Sequence, residues 1–148
     1  MALIDSHLRD PAGRRRLGLG LIVFTLTVAL VVTLYPFRFT FRASMLSRID
    51  WRLYDARHSN RDLIQNLLML APLGAGVALL RHGRAALSRI AAEAGLLGLG
   101  TALVIETIQI FERSRFPQAA DVWRNGVGCV AGALLAGVCL RRVSGSHP

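Results

Sequence analysis

From Leu17 to Phe37 the chain runs for 21 residues without a charge, and three further stretches are almost as apolar. A helix needs about 20 mostly apolar residues, rising about 1.5 Å each, to cross the hydrocarbon layer of a membrane. Leu63 to Leu80 supplies 18 uncharged residues. Ile90 to Phe111 is longer and contains Glu93 and Glu106, while Asp121 to Leu140 carries its charges only in its first turn. Any one of these helices would fit inside a water-soluble core. Four of them in 148 residues leave too little amphipathic chain to wrap such a core. The pattern predicts an all-α integral membrane bundle of four transmembrane helices, over residues 17–37, 63–80, 90–111 and 121–140 of a single membrane domain, 1–148.

The charge balance invites a different inference. Eighteen basic residues against nine acidic ones, net +9, would suit a nucleic-acid binder. Every basic residue is Arg, and four spans divide these arginines nine and nine between the two membrane faces. They form no single patch, so no nucleic-acid partner is expected. An even split also leaves the usual excess of positive charge on the cytoplasmic side without a vote. Arg14, Arg15 and Arg16 abut the first span with no acidic partner nearby, which favours termini inside. The same arginines resemble the start of a signal peptide. The apolar run is too long for one, however, and ends in Tyr35-Pro36-Phe37-Arg38, so the first span is expected to be retained.

Residues 1–16 read as a polar arm. The longest connection, 38–62, holds six Arg and three Asp. Phe41, Met45, Ile49 and Leu53 recur there every four residues, which points to an amphipathic helix lying in the interface between the first and second spans. Nine of the ten aromatic residues lie at or near this connection and the 112–120 connection, on one membrane face. Cys129 and Cys139 share one helix about 15 Å apart, too far to bridge, and are expected to be small packing residues. The four His, at 7, 58, 82 and 147, lack metal-ligand spacing, so neither a metal nor a cofactor is expected.

The aromatic-rich face also collects unusual polar residues. Asp62, Gln65 and Asn66 open the second span, Glu106 and Gln109 close the third, and Asp121, Arg124 and Asn125 open the fourth. Polar groups at membrane depth are costly unless they pair or line a wet cavity, so these are expected to converge. Spacings of three and four residues put Glu106 with Gln109, Asp62 with Asn66, and Asp121 with Asn125 on shared helix faces. Arg113 and Arg115 follow closely and are candidates to neutralise Glu106 or Asp121 through a planar guanidinium fork. The ligand-binding candidates are Asn66, Glu106, Gln109, Arg115, Asp121 and Asn125. A purely structural network fixing helix register is the alternative. Gly128 and Gly132 suggest close helix packing, and Pro72 a kink in the second span.

At these positions the sequence resembles the VanZ-like family of small bacterial membrane proteins. Asn66-Leu67-Leu68-Met69-Leu70-Ala71-Pro72-Leu73-Gly74 is similar to the family's N-L-L-x-F-x-P-L-G, with Leu70 in the place of its Phe. Glu106, Gln109, Arg115, Asp121, Asn125, Gly128 and Gly132 fall in register with a second block. Gln118 stands where an acidic or small polar residue is common. The resemblance implies a fold of membrane helices and, in the named member, a link to teicoplanin resistance, but no reaction. The first reading of the polar cluster itself is a multi-pass protein of the bacterial cytoplasmic membrane that binds a lipid-linked or cell-surface ligand at the outer face. Arg115, with Arg113 and Arg124, would meet phosphate or carboxylate, while Glu106, Gln109, Asp121 and Asn125 orient them. Membrane lipids, a protein partner or a second copy are the other partners expected. A membrane enzyme using Glu106 and Asp121 as acid and base is a second reading, although nucleophile-elbow, zinc-helix and phosphatase signatures are all missing. A structural, assembly or transport subunit is a third.

Overall fold

The computed structural model describes residues 10–53 and 60–145, with side chains for 10–53 and 63–143. Residues 1–9, the 54–59 part of the long connection and residues 146–148 lie outside this description, as does the side chain of Asp62. Among the described residues, five α-helices form four membrane-length spans. Helix α1 is Pro11–Leu34. The second span is broken into α2, Asn60–Met69, and α3, Ala71–Arg81. Helices α4, Leu87–Gln109, and α5, Ala119–Gly145, complete the bundle.

The boundaries follow local chemistry more closely than hydropathy does. Asp10 caps α1 by accepting from the backbone N–H of Ala12 and Gly13 at 3.1 and 2.7 Å, and Pro11 occupies the first turn, where no N–H is needed. The helix therefore starts before the apolar run and takes Arg14–Arg16 into its first turns, which corrects the reading of 11–16 as an arm. It stops at Leu34 because Pro36 has no N–H with which to continue it. The expected kink in the second span is present. Pro72 offers no donor to the preceding turn, and Leu70 departs from helical geometry with φ −102° and ψ 2°.

Large apolar side chains face outward along the spans: Val23, Phe24 and Val32 on α1, Leu103 on α4 and Leu135 on α5 are all exposed. The interior combines two leucines with small residues: Leu70, Leu73, Ala94, Cys129 and Ala133 are fully buried. Such an inside-out distribution suits a lipid solvent, in which helices associate through close packing. Helix α5 is the hub and packs against α2, α3 and α4, while α1 leans on α3. A side-chain carbon on Gly128 would overlap the backbone of Leu67, and one on Gly132 the backbone of Ala71. Cys129 fills the centre of this contact, whereas Cys139 is exposed and is not the packing residue expected. Thr25 and Thr33 are buried on α1, their hydroxyls donating to Leu21 and Ala29 carbonyls one turn earlier at 2.7 and 2.6 Å.

Between α1 and α2, the expected interfacial helix takes the form of a 3-10 helix, Ala43–Arg48. It covers only part of the four-residue periodicity, because the flanking segments pair with the connection between α4 and α5. Phe39 bridges antiparallel to Glu112, and Asp50 bridges parallel to Gln118.

Candidate functional site

The aromatic-rich end of the bundle is built around the last turn of α1. A helix leaves its final carbonyls without intrahelical donors. Here Val31 O accepts from Tyr35 N at 3.1 Å and Leu34 O from Phe37 N at 2.7 Å. Phe37 reaches that bond with φ +63°, an uncommon left-handed conformation for a bulky residue. The other two carbonyls are served from distant parts of the chain. Gln109 Nε2 donates to Thr33 O at 3.2 Å, and Arg115 Nη2 donates to Val32 O at 2.8 Å and Tyr35 O at 3.2 Å. The Arg115 charge thus meets the negative end of the helix dipole, rather than pairing with Glu106 or Asp121 as expected.

Two loops lie over this end. Thr40 N donates to Phe111 O at 2.7 Å, Arg113 N to Arg38 O at 3.0 Å, and Asp50 N to Pro117 O at 3.0 Å. Arg48 fastens them by donating to the carbonyls of Glu112, Arg113 and Arg115 at 3.3, 2.9 and 2.6 Å. Its guanidinium also lies 4.6 Å from the centre of the Phe116 ring. Glu112 is 0% exposed beneath the loops. It accepts from Arg38 N at 3.1 Å, Ser114 N at 2.7 Å and the Ser114 hydroxyl at 2.6 Å. Burial, the largest single influence on this carboxyl, pushes its pKa up. The Ser114 and Arg38 hydrogen bonds and the Arg115 charge together outweigh burial and hold it below the usual carboxylate range.

Deeper in the bundle, α5 opens on Asp121. Asn66 Nδ2 donates to Asp121 Oδ1 at 2.7 Å, Arg124 Nη1 donates to the same oxygen at 3.1 Å, and Asn125 Nδ2 donates to the Asp121 carbonyl at 2.9 Å. Arg124 and Asn125 are 3% and 2% exposed. Arg124 Nε and Asn125 Oδ1 are buried without a hydrogen-bond partner among the described residues. Glu106 approaches from α4 and accepts from Gln118 N at 2.9 Å, close enough to Asp121 for the two charges to act on one another. Glu106 also lines a cavity of about 300 Å³ between α4, α5 and the 49–51 segment. Its other walls include Trp51, Leu103, Ile110, Pro117 and Val122. This cavity is an apolar groove with one carboxylate in its wall.

The six candidates therefore fall into two groups. Asn66, Asp121 and Asn125 meet directly, with Glu106 alongside. Gln109 and Arg115 lie at the end of α1. A family model described as VanZ/LLP1 matches residues 17–140. The chain belongs to the VanZ/LLP1 family. Comparison with curated proteins and with solved structures returns no match.

In this VanZ/LLP1 chain the two sequence blocks form opposing sides of one interface. Asn66 of the first block holds Asp121 of the second. Leu67 and Ala71 of the first lie against Gly128 and Gly132 of the second, and Gly74 lies against Cys129. Sequence reasoning missed Glu112 and Arg48. Glu112 carried a faint signal, an acid two residues before a serine in a turn. Arg48 carried none, because its partners are backbone carbonyls, which every residue has. Arg124 emerges as the cation paired with Asp121, at a spacing of three that was readable on α5. Glu93, the other acid within an expected span, is held at the opposite face by Arg81 at 2.6 Å and Arg89 at 3.2 Å.

Proposed function

We propose that this multi-pass membrane protein binds a lipid-linked envelope ligand at its aromatic-rich face, with the ligand's apolar chain in the groove between α4 and α5. The observation that carries this reading is the pairing of an apolar groove of about 300 Å³ with the Glu106 carboxylate in its wall. Such a groove offers apolar contact to a chain arriving from the bilayer, and Glu106 accepts a hydrogen bond from a hydroxyl, amine or amide at the chain's polar end. Asn66, Asp121, Arg124 and Asn125 hold the neighbouring helix ends in place. Gln109 and Arg115 act through α1 and not by touching the ligand. The membrane is the bacterial cytoplasmic membrane, with the groove facing outward and the termini inward. The role is binding rather than catalysis.

Affinity-purified protein is incubated with a total envelope lipid extract, and retained lipids are identified by native mass spectrometry. The wild type is expected to enrich a lipid-linked species over bulk phospholipid. Val122→Trp, which fills the groove, should abolish the enrichment, and Glu106→Gln should reduce it several-fold without lowering Tm. No enrichment in the wild type, or enrichment unchanged in Val122→Trp, would overturn the proposal. Chemical conversion of the retained lipid would replace binding with the enzymatic reading.

A further inference from the structure

A second cavity lies at the other end of the bundle. It measures about 450 Å³ and is lined by His82, Arg84, Leu87, Ile90, Gly137 and Arg141, where the α3–α4 turn meets the end of α5. No carboxylate of the described residues lines it. Among the described residues, the acids at this end are engaged elsewhere: Asp10 caps α1, and Glu93 binds Arg81 and Arg89. Helix α4 begins beside the cavity with Ala86 as its cap residue, without a side-chain cap and without an acid in its first turn. Among the described residues, no negative charge offsets the positive end of that helix. Burial first, then the positive charges of Arg14 and Arg141, hold the His82 imidazole below the usual histidine range. Leu87 and Ile90 form an apolar wall next to these donors.

We propose that this cavity binds the phosphate of an anionic phospholipid headgroup, with Arg84 and Arg141 as the ion-pairing donors. Guanidinium forks and free helix N–H groups both suit phosphate oxygens. A position at the end of the spans matches the depth of a headgroup, and the apolar wall takes the start of the acyl chains. Free inorganic phosphate shares the headgroup's charge but gains nothing from that wall.

The test uses full-length protein in nanodiscs of phosphatidylcholine doped with phosphatidylglycerol, with lipid retained after detergent extraction read by native mass spectrometry. The wild type should retain phosphatidylglycerol selectively. The Arg84→Ala/Arg141→Ala double variant should lose about 30-fold of that preference, at roughly one surface charge's worth of binding per arginine. Arg142→Ala removes an exposed charge that does not line the cavity and should leave retention unchanged. Equal retention of the two lipids would overturn the proposal, as would a loss in Arg142→Ala matching that of the double variant. Complete displacement of phosphatidylglycerol by millimolar inorganic phosphate would overturn the lipid assignment in favour of a free-anion site.

Discussion

Arg115 shows how one side chain acquires a role from a residue it does not resemble. Pro36 lacks an N–H, so the carbonyls at the end of α1 need a donor from elsewhere, and Arg115 supplies two of the bonds. Arg115→Ala should cost about 1.5–3 kcal/mol, the usual range for hydrogen bonds from a charged group, read as a lower Tm in detergent. Glu112 gives a pH signature. Its native pKa lies below that of the unfolded chain, so it stabilises the loops fully above the ordinary carboxylate pKa of about 4.3. That contribution is lost as pH falls from there through the native value. Acid titration of wild type and Glu112→Gln should therefore show a stability difference at neutral pH that closes in acid. A constant difference down to pH 2 would contradict this account. The polarity of Gln109 and Arg115 at membrane depth was legible in the sequence. Their partners were not, because carbonyls 76 and 83 residues away leave no residue-type signal.

The decisive element is the contact between the broken second span and α5. Gly128 and Gly132 let the two backbones touch, so any added carbon displaces backbone and not a flexible side chain. Gly132→Ala should cost about 1–3 kcal/mol through overpacking, and Gly128→Ala should add to it, both measured by thermal unfolding in detergent. Glycine spacing already suggested close packing here. It did not say that the facing surface would be the kinked stretch around Leu70, which depends on where Pro72 frees the helix ladder. The short 3-10 helix is a second case. Four-residue periodicity implied a longer amphipathic helix, but the neighbouring backbone pairs with the α4–α5 connection, and Arg48 spends its charge on that pairing. Arg48→Ala should raise amide hydrogen exchange across 111–118 while leaving the spans protected.

At the scale of the whole molecule, four spans place the aromatic-rich loops on one face and the Arg81–Glu93–Arg89 cluster on the other. The proposed orientation, termini inward, rests on Arg14–Arg16 in the first turns of α1, and single-cysteine labelling tests it in a Cys129→Ala/Cys139→Ser background. Ser47→Cys should react with an impermeant maleimide added outside intact cells, and Ser88→Cys only after lysis. The reverse pattern would invert the topology. The sequence alone was sufficient for the class of the fold, the four spans, the kink and the set of polar residues at one face. Each of these follows from local rules: the apolar length needed to cross a membrane, the missing N–H of proline, and the cost of polarity in lipid. Only the tertiary structure decided which polar groups meet. It separated Gln109 and Arg115 from Asn66, Asp121 and Asn125, brought Arg48 and Glu112 into the loops, and opened a groove beside Glu106. Those outcomes depend on backbone carbonyls and on distances between segments far apart in the chain, and neither is written in the identity of any residue.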